Sequence, residues 1–213
     1  MYFAFVVLAV YFIYSMSRRK KLEQQVELFN KLLYEQKNPQ KYTAVIDDLL
    51  LKFQSENERN INYIQKTTGL LYAGRFDEAV SILNDSVKKI PPNWQVVYYH
   101  NMLLSLYFKG ETEKANEILK ENKSTIDHFY KKDYNKVTIE LIYAVCDYYN
   151  SKISECKEFF RLLPEVSKNN YRIALGYYFS GKIMEVEGTE CNEEYFEKAR
   201  DNSNGNFIDY IVR

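Results

Sequence analysis

Glycine and proline are scarce in this chain, at 7 and 4 residues of 213. So few breakers exclude a loop-dominated or collagen-like chain and leave long helices joined by short turns. The three cysteines, Cys146, Cys156 and Cys191, are odd in number and far apart, with no C-x-x-C spacing. A disulfide framework or zinc knuckle is therefore not expected, and reduced core thiols are. Histidine is rarer still: His100 and His128 stand without a cysteine or acidic cluster at metal-ligand spacing. Neither sign of charge prevails, with 29 Lys+Arg against 29 Asp+Glu, so no global field gathers a nucleic acid. Also missing are the phosphate-cradling patterns G-x-x-x-x-G-K-[ST] and G-x-G-x-x-G, the nucleophile elbow G-x-S-x-G and the zinc motif H-E-x-x-H. Asp47-Asp48 and Glu193-Glu194 are sequence neighbours, so on a helix they diverge around the axis and read as solvated faces, not as acid–base couples. No enzyme activity, cofactor or metal is expected.

Aromatics are what the chain has in plenty, 20 Tyr and 13 Phe, within a globular balance of 46% apolar and 27% charged residues. The apolar residues are unevenly placed. Tyr2 to Tyr14 (YFAFVVLAVYFIY) carry no charge and no helix breaker, and Arg18-Arg19-Lys20-Lys21 follow. At 1.5 Å per residue this leader spans roughly 25 Å, a little short of a hydrocarbon core, with basic side chains able to snorkel at one end. A secretory signal places its charge before the apolar run and ends in an A-x-A-like site, which Phe12 to Met16 do not supply. Residues 1–17 therefore read as an N-terminal transmembrane anchor, with residues 2–16 in the membrane. The basic cluster puts the remaining domain, 18–213, on the cytoplasmic side of the cell membrane.

Beyond the anchor, apolar residues recur at helical spacing in paired segments. The clearest is YAGRFDEAVSILNDSVKKIP, from Tyr72 to Pro91. A helix ends, Gly74 turns the chain, and a second helix runs from Phe76 to about Lys89, with small Ala79 and large Leu83 facing inward. Leu22 to Gln36 and Lys41 to Phe53 form a first pair, separated by Asn38-Pro39; Leu49 precedes Leu83 by 34 residues. A third pair is Trp94 to Lys109, Gly110, and a helix carrying Ala115 and Leu119, with Lys123 to Lys136 as an insertion. Val137 to Tyr149 with Ser154 to Leu163 makes a fourth, with Cys156 small, Phe160 large and Pro164 as the stop. Tyr171 to Glu187, Gly188, and Thr189 to Asn202 make a fifth, with Phe196 in the large place. The tail from Asn206 is too short to be a full capping helix.

That spacing resembles the tetratricopeptide repeat (TPR), whose period is about 34 residues. The resemblance covers roughly 22 to 204; it departs at Thr112, where an aromatic is usual, and in the fourth pair, which has no glycine turn. It implies an all-α fold: a right-handed α-α superhelix of about five TPR-like helical hairpins after the N-terminal transmembrane helix. A lone hairpin cannot bury its apolar face, so each must stack on the next. In this architecture the first helix of each pair lines the concave side. There the sequence places Tyr34, Ile64, Thr68, Tyr72, His100, Leu104, Tyr107, Phe108, Tyr149, Tyr177 and Tyr178, a tyrosine-rich surface suited to a protein or peptide partner. Any one of these rings could instead pack between repeats, and His100 reads first as a hydrogen-bonded structural histidine and second as a ligand-touching or pH-sensitive one. Some TPR domains grip a chaperone's terminal carboxylate with inner lysines and asparagines; here only Asn30 and Lys37 are candidates, so that mode is not expected. The implied function is a membrane-tethered, non-enzymatic scaffold. The alternative is a structural subunit of a membrane complex, docking by the outer face or the C-terminal end.

Overall fold

Side chains cap three of the helices at their starts. Ser55 and Glu58 close a reciprocal capping box at the head of one helix, and the Asn38 and Asn169 side chains accept backbone N–H groups at the heads of two others. A computed structural model of the chain describes residues 12, 15–17, 19–20, 23–52, 55–189, 192–203 and 206–211. Helix α1 (23–30) runs into a π-helical turn, Lys31–Glu35. Then come α2 (Pro39–Leu50), α3 (Glu56–Tyr72), α4 (Phe76–Asp85), a 3-10 turn (Pro92–Trp94), α5 (Gln95–Phe108), α6 (Thr112–His128) and α7 (Asp133–Tyr149). The chain finishes with α8 (Ile153–Val166), α9 (Asn170–Val186), α10 (Asn192–Ser203) and a short α11 (Ile208–Ile211). Among the described residues there is no strand.

Successive helices pack on one another, and the first helices of neighbouring pairs also meet, α3 on α5 and α5 on α7. This is the stacking that a series of hairpins needs to hide its apolar faces. Ala79, Ala115, Cys156 and Ala199 are fully buried, as small residues must be where two helix axes close, and Leu83 and Phe160 fill the adjoining large positions. Gly74, Gly110 and Gly188 take φ of 74°, 80° and 71° at the predicted turns. In the fourth pair, which lacks a glycine, Ser151 occupies the same left-handed conformation at φ 62°.

Several boundaries differ from those the sequence suggests. The helix expected to reach Lys89 stops at Asp85, and the expected insertion at Lys123 is mostly helix, since α6 continues to His128. Pro164 does not end α8. It lies in the last turn with its ring against α9 at Gly176, where an added Cβ would sit 2.7 Å from Pro164 Cδ. The anchor stretch falls largely outside the described residues; among those described, no helix is long and apolar enough to cross a membrane.

The ends of the series meet. Tyr171, at the start of α9, stacks on Tyr72 of α3 with ring centroids 4.1 Å apart, and Tyr34 lies 6.2 Å from the same ring. Tyr171 thereby joins Phe29, Leu32, Leu33, Tyr42 and Ile46 in a second apolar core beside the main one. The tail takes part as well. Phe207 N donates to Tyr72 O at 3.0 Å, and its ring packs on Phe76 and Phe108 at 5.1 and 5.0 Å. Besides packing on α9 and α10 of the last hairpin, the tail reaches across to the second and third.

Candidate functional site

Closure leaves one cavity of about 300 Å³ to which the first helix of every pair contributes. Asn30 and Tyr34 come from α1 and its π turn, Gln65, Thr68 and Tyr72 from α3, and His100 and Asn101 from α5. Thr138 comes from α7 and Arg172 from α9, while Trp94, the chain's single tryptophan, closes one side. Its walls mix aromatic and aliphatic side chains with polar ones in nearly equal number.

Asn101 organises the floor. Its amide nitrogen donates to Ile64 O at 3.2 Å, Thr67 Oγ1 at 3.0 Å and Thr68 Oγ1 at 2.8 Å. A carbonyl cannot donate, so the nitrogen must face that way, and Asn101 Oδ1 then meets His100 Nδ1 at 3.0 Å. His100 Nδ1 therefore carries the proton, and Nε2 presents its lone pair. Nε2 is buried and has no partner among the described residues. Burial pulls the His100 pKa down to about 4 against the Asn101 hydrogen bond, with Arg172 adding to the depression, so the ring is neutral near pH 7.

Arg172 supplies the positive charge. One Nη donates to Thr138 Oγ1 at 2.6 Å, Nε is buried without a partner, and no carboxylate pairs with it among the described residues. Gln65 Oε1 is a third buried atom lacking a partner. Burial raises the pKa of Tyr34, Tyr42 and Tyr72, so all three enter as neutral rings.

Of the residues the sequence nominates, Tyr34, Thr68, Tyr72 and His100 line this cavity. The others are elsewhere. Ile64, Leu104 and Tyr107 are buried in the main core, and the Tyr107 hydroxyl is taken by Asn116 Oδ1 at 2.8 Å. Phe108 packs under the tail and Tyr149 stacks on Tyr107 at 5.4 Å. Tyr177 and Tyr178 lean on Tyr195 and Phe196 in the α9–α10 contact. These seven pack against other helices of the same or an adjoining hairpin, or under the tail.

Sequence reasoning misses Arg172, Gln65, Asn101 and Trp94. Arg172 is a lone basic residue in a helix's first turn, and nothing local marks it. Asn101, by contrast, is a polar residue inside the apolar run of α5, where a burial cost demands hydrogen-bond partners; that is a readable signal. Among the described residues no group of His, Cys, Asp and Glu could hold a metal ion. The class these observations define is an all-helical, solenoid-like repeat protein with a polar-floored inner pocket. No known family model matches the chain, and no curated protein or solved structure matches it either.

Proposed function

We propose that this chain is a non-enzymatic scaffold of the TPR kind, a right-handed superhelix that binds a protein partner from its inner side. The observation that carries the reading is the convergence of all five first helices on a cavity whose polar atoms His100 Nε2, Gln65 Oε1 and Arg172 Nε have no partner within the described chain. Buried groups left unpaired cost on the order of 1–3 kcal/mol each, and a bound ligand that pairs them recovers that cost. The space admits one inserted residue and not a whole helix, so the partner presents a projecting residue to the pocket. The apolar residues 2–16, with Arg18, Arg19, Lys20 and Lys21 at the interface, tether the domain to the cytoplasmic face of the cell membrane and raise the partner's local concentration there. Filling the pocket with Thr68→Trp should abolish partner capture, while Val186→Asp, at an exposed position that does not line the pocket, should not.

A second reading, a structural subunit docking by its C-terminal end, draws support from Val166, Val186, Tyr210 and Ile211. All four are largely exposed on the last two hairpins and the tail. The reverse outcome, with Val186→Asp abolishing capture and Thr68→Trp leaving it intact, would favour this reading and defeat the first.

A further inference from the structure

The unpaired atoms of the pocket differ in kind, and their pattern specifies a ligand. Arg172 Nε is a charged donor whose guanidinium has no carboxylate beside it among the described residues, so it calls for an anionic acceptor. His100 Nε2 and Gln65 Oε1 are acceptors, the first fixed as such by the Asn101 contacts. Of the cavity's described lining residues only Arg172 is charged. A simple anion would satisfy Arg172 and leave both acceptors empty. A hydroxyl beside the anion brings one hydrogen for two acceptors, whereas an ammonium brings three. Tyrosine faces around a cation add further attraction. The remaining wall, with Phe29, Tyr42, Trp94 and Val97, is apolar and suits a hydrocarbon or aromatic body.

We infer that the pocket binds a free amino acid with an apolar or aromatic side chain, its carboxylate on Arg172, its ammonium on His100 Nε2 and Gln65 Oε1. This rests on the pocket being the binding site, as in the reading above, and makes the scaffold responsive to a small molecule. The free ligand and a partner's chain terminus share the carboxylate but differ at nitrogen, which is charged only in the free ligand.

The test is calorimetric titration of the full chain, with Trp94 emission followed in parallel. The probes are L-phenylalanine, L-leucine, 3-phenylpropionate, 2-phenylethylamine and N-acetyl-L-phenylalanine. L-Phenylalanine or L-leucine should bind saturably and shift Trp94 emission. Each of the other three probes lacks either the carboxylate or the charged amine and should bind about tenfold more weakly or worse. Arg172→Met should weaken L-phenylalanine to the level of 2-phenylethylamine, and Arg172→Lys should restore part of the difference. Saturable binding of neither amino acid in the millimolar range would overturn the inference, as would 3-phenylpropionate or N-acetyl-L-phenylalanine binding as tightly as L-phenylalanine. If the probes fail while pocket filling still abolishes partner capture, only the ligand class is wrong. If pocket filling changes nothing, the site itself is wrong.

Discussion

Phe207→Ala tests whether the tail is part of the fold. The ring is buried, touches Phe76 and Phe108, and sits where a Cβ on Gly74 would come within 2.8 Å of its own Cβ. Truncating a buried phenylalanine costs about 3–5 kcal/mol when the surroundings cannot collapse. Here a ceiling applies, because the tail can detach as a unit, and the loss then stops at the free energy of docking residues 206–211. That docking includes Ile208, fully buried, and the bond from Phe207 N to Tyr72 O, so we expect a loss near the lower figure, about 3 kcal/mol. For a chain of this length that corresponds to a fall in Tm of roughly 6–12 °C. Urea denaturation of the purified chain measures it, with deletion of 206–213 as the second variant. The two losses should agree within about 1 kcal/mol, since both end in an undocked tail. A loss under about 0.5 kcal/mol in both would show that the tail does not dock on the second and third hairpins.

Three further outcomes follow from single residues. Gly74→Ala and Gly110→Ala both place a side chain at positive φ, but only Gly74 has Phe207 in its way, while Gly110 has nothing within 4 Å. Both should lose about 1 kcal/mol for the backbone, and Gly74→Ala should lose at least about 1 kcal/mol more by denaturant titration. His100 binds its proton at about 4 when folded and near 6.5 when unfolded. Stability is therefore intact above 6.5 and falls as pH drops toward 4, by up to about 3 kcal/mol. His100→Gln should flatten that part of the pH–stability curve, and an unchanged slope would count against a buried neutral imidazole. Cys156 is buried with its thiol pushed up to about 11, so it should resist thiol reagents in the native chain and react on unfolding.

The hairpins were legible because their signals are local. Gly74, Gly110 and Gly188 punctuate, Asn38-Pro39 separates the first two helices, and Ala79, Ala115 and Cys156 mark close approaches within a turn or two of their partners. The contacts that shape the inner side are not local. Tyr72 on Tyr171 and Phe207 on Phe76 join distant segments, and no periodicity announces which tyrosine will meet which. Other rings that the pattern places on a concave wall pack on helices of the same or the next hairpin, as Tyr177 on Tyr195 and Tyr107 on Tyr149 show. His100 was placed on the inner face by its helical spacing. Its tautomer, and with it the chemistry of the pocket, depends on Asn101 reaching back to Ile64, Thr67 and Thr68 on α3. Pro164 was read as the stop of α8, yet the helix runs two residues beyond it with the proline ring seated against Gly176 of α9, a contact between helices that no local pattern announces.

The most direct test puts a photo-reactive benzophenone amino acid in place of Trp94, which lines the pocket, and in a second chain in place of Val186, exposed at the far end of α9 and not among the pocket's lining residues. Irradiation of membranes carrying the full chain should join a partner to position 94 and leave position 186 bare. Adducts at 186 with none at 94 would contradict an inward-facing site.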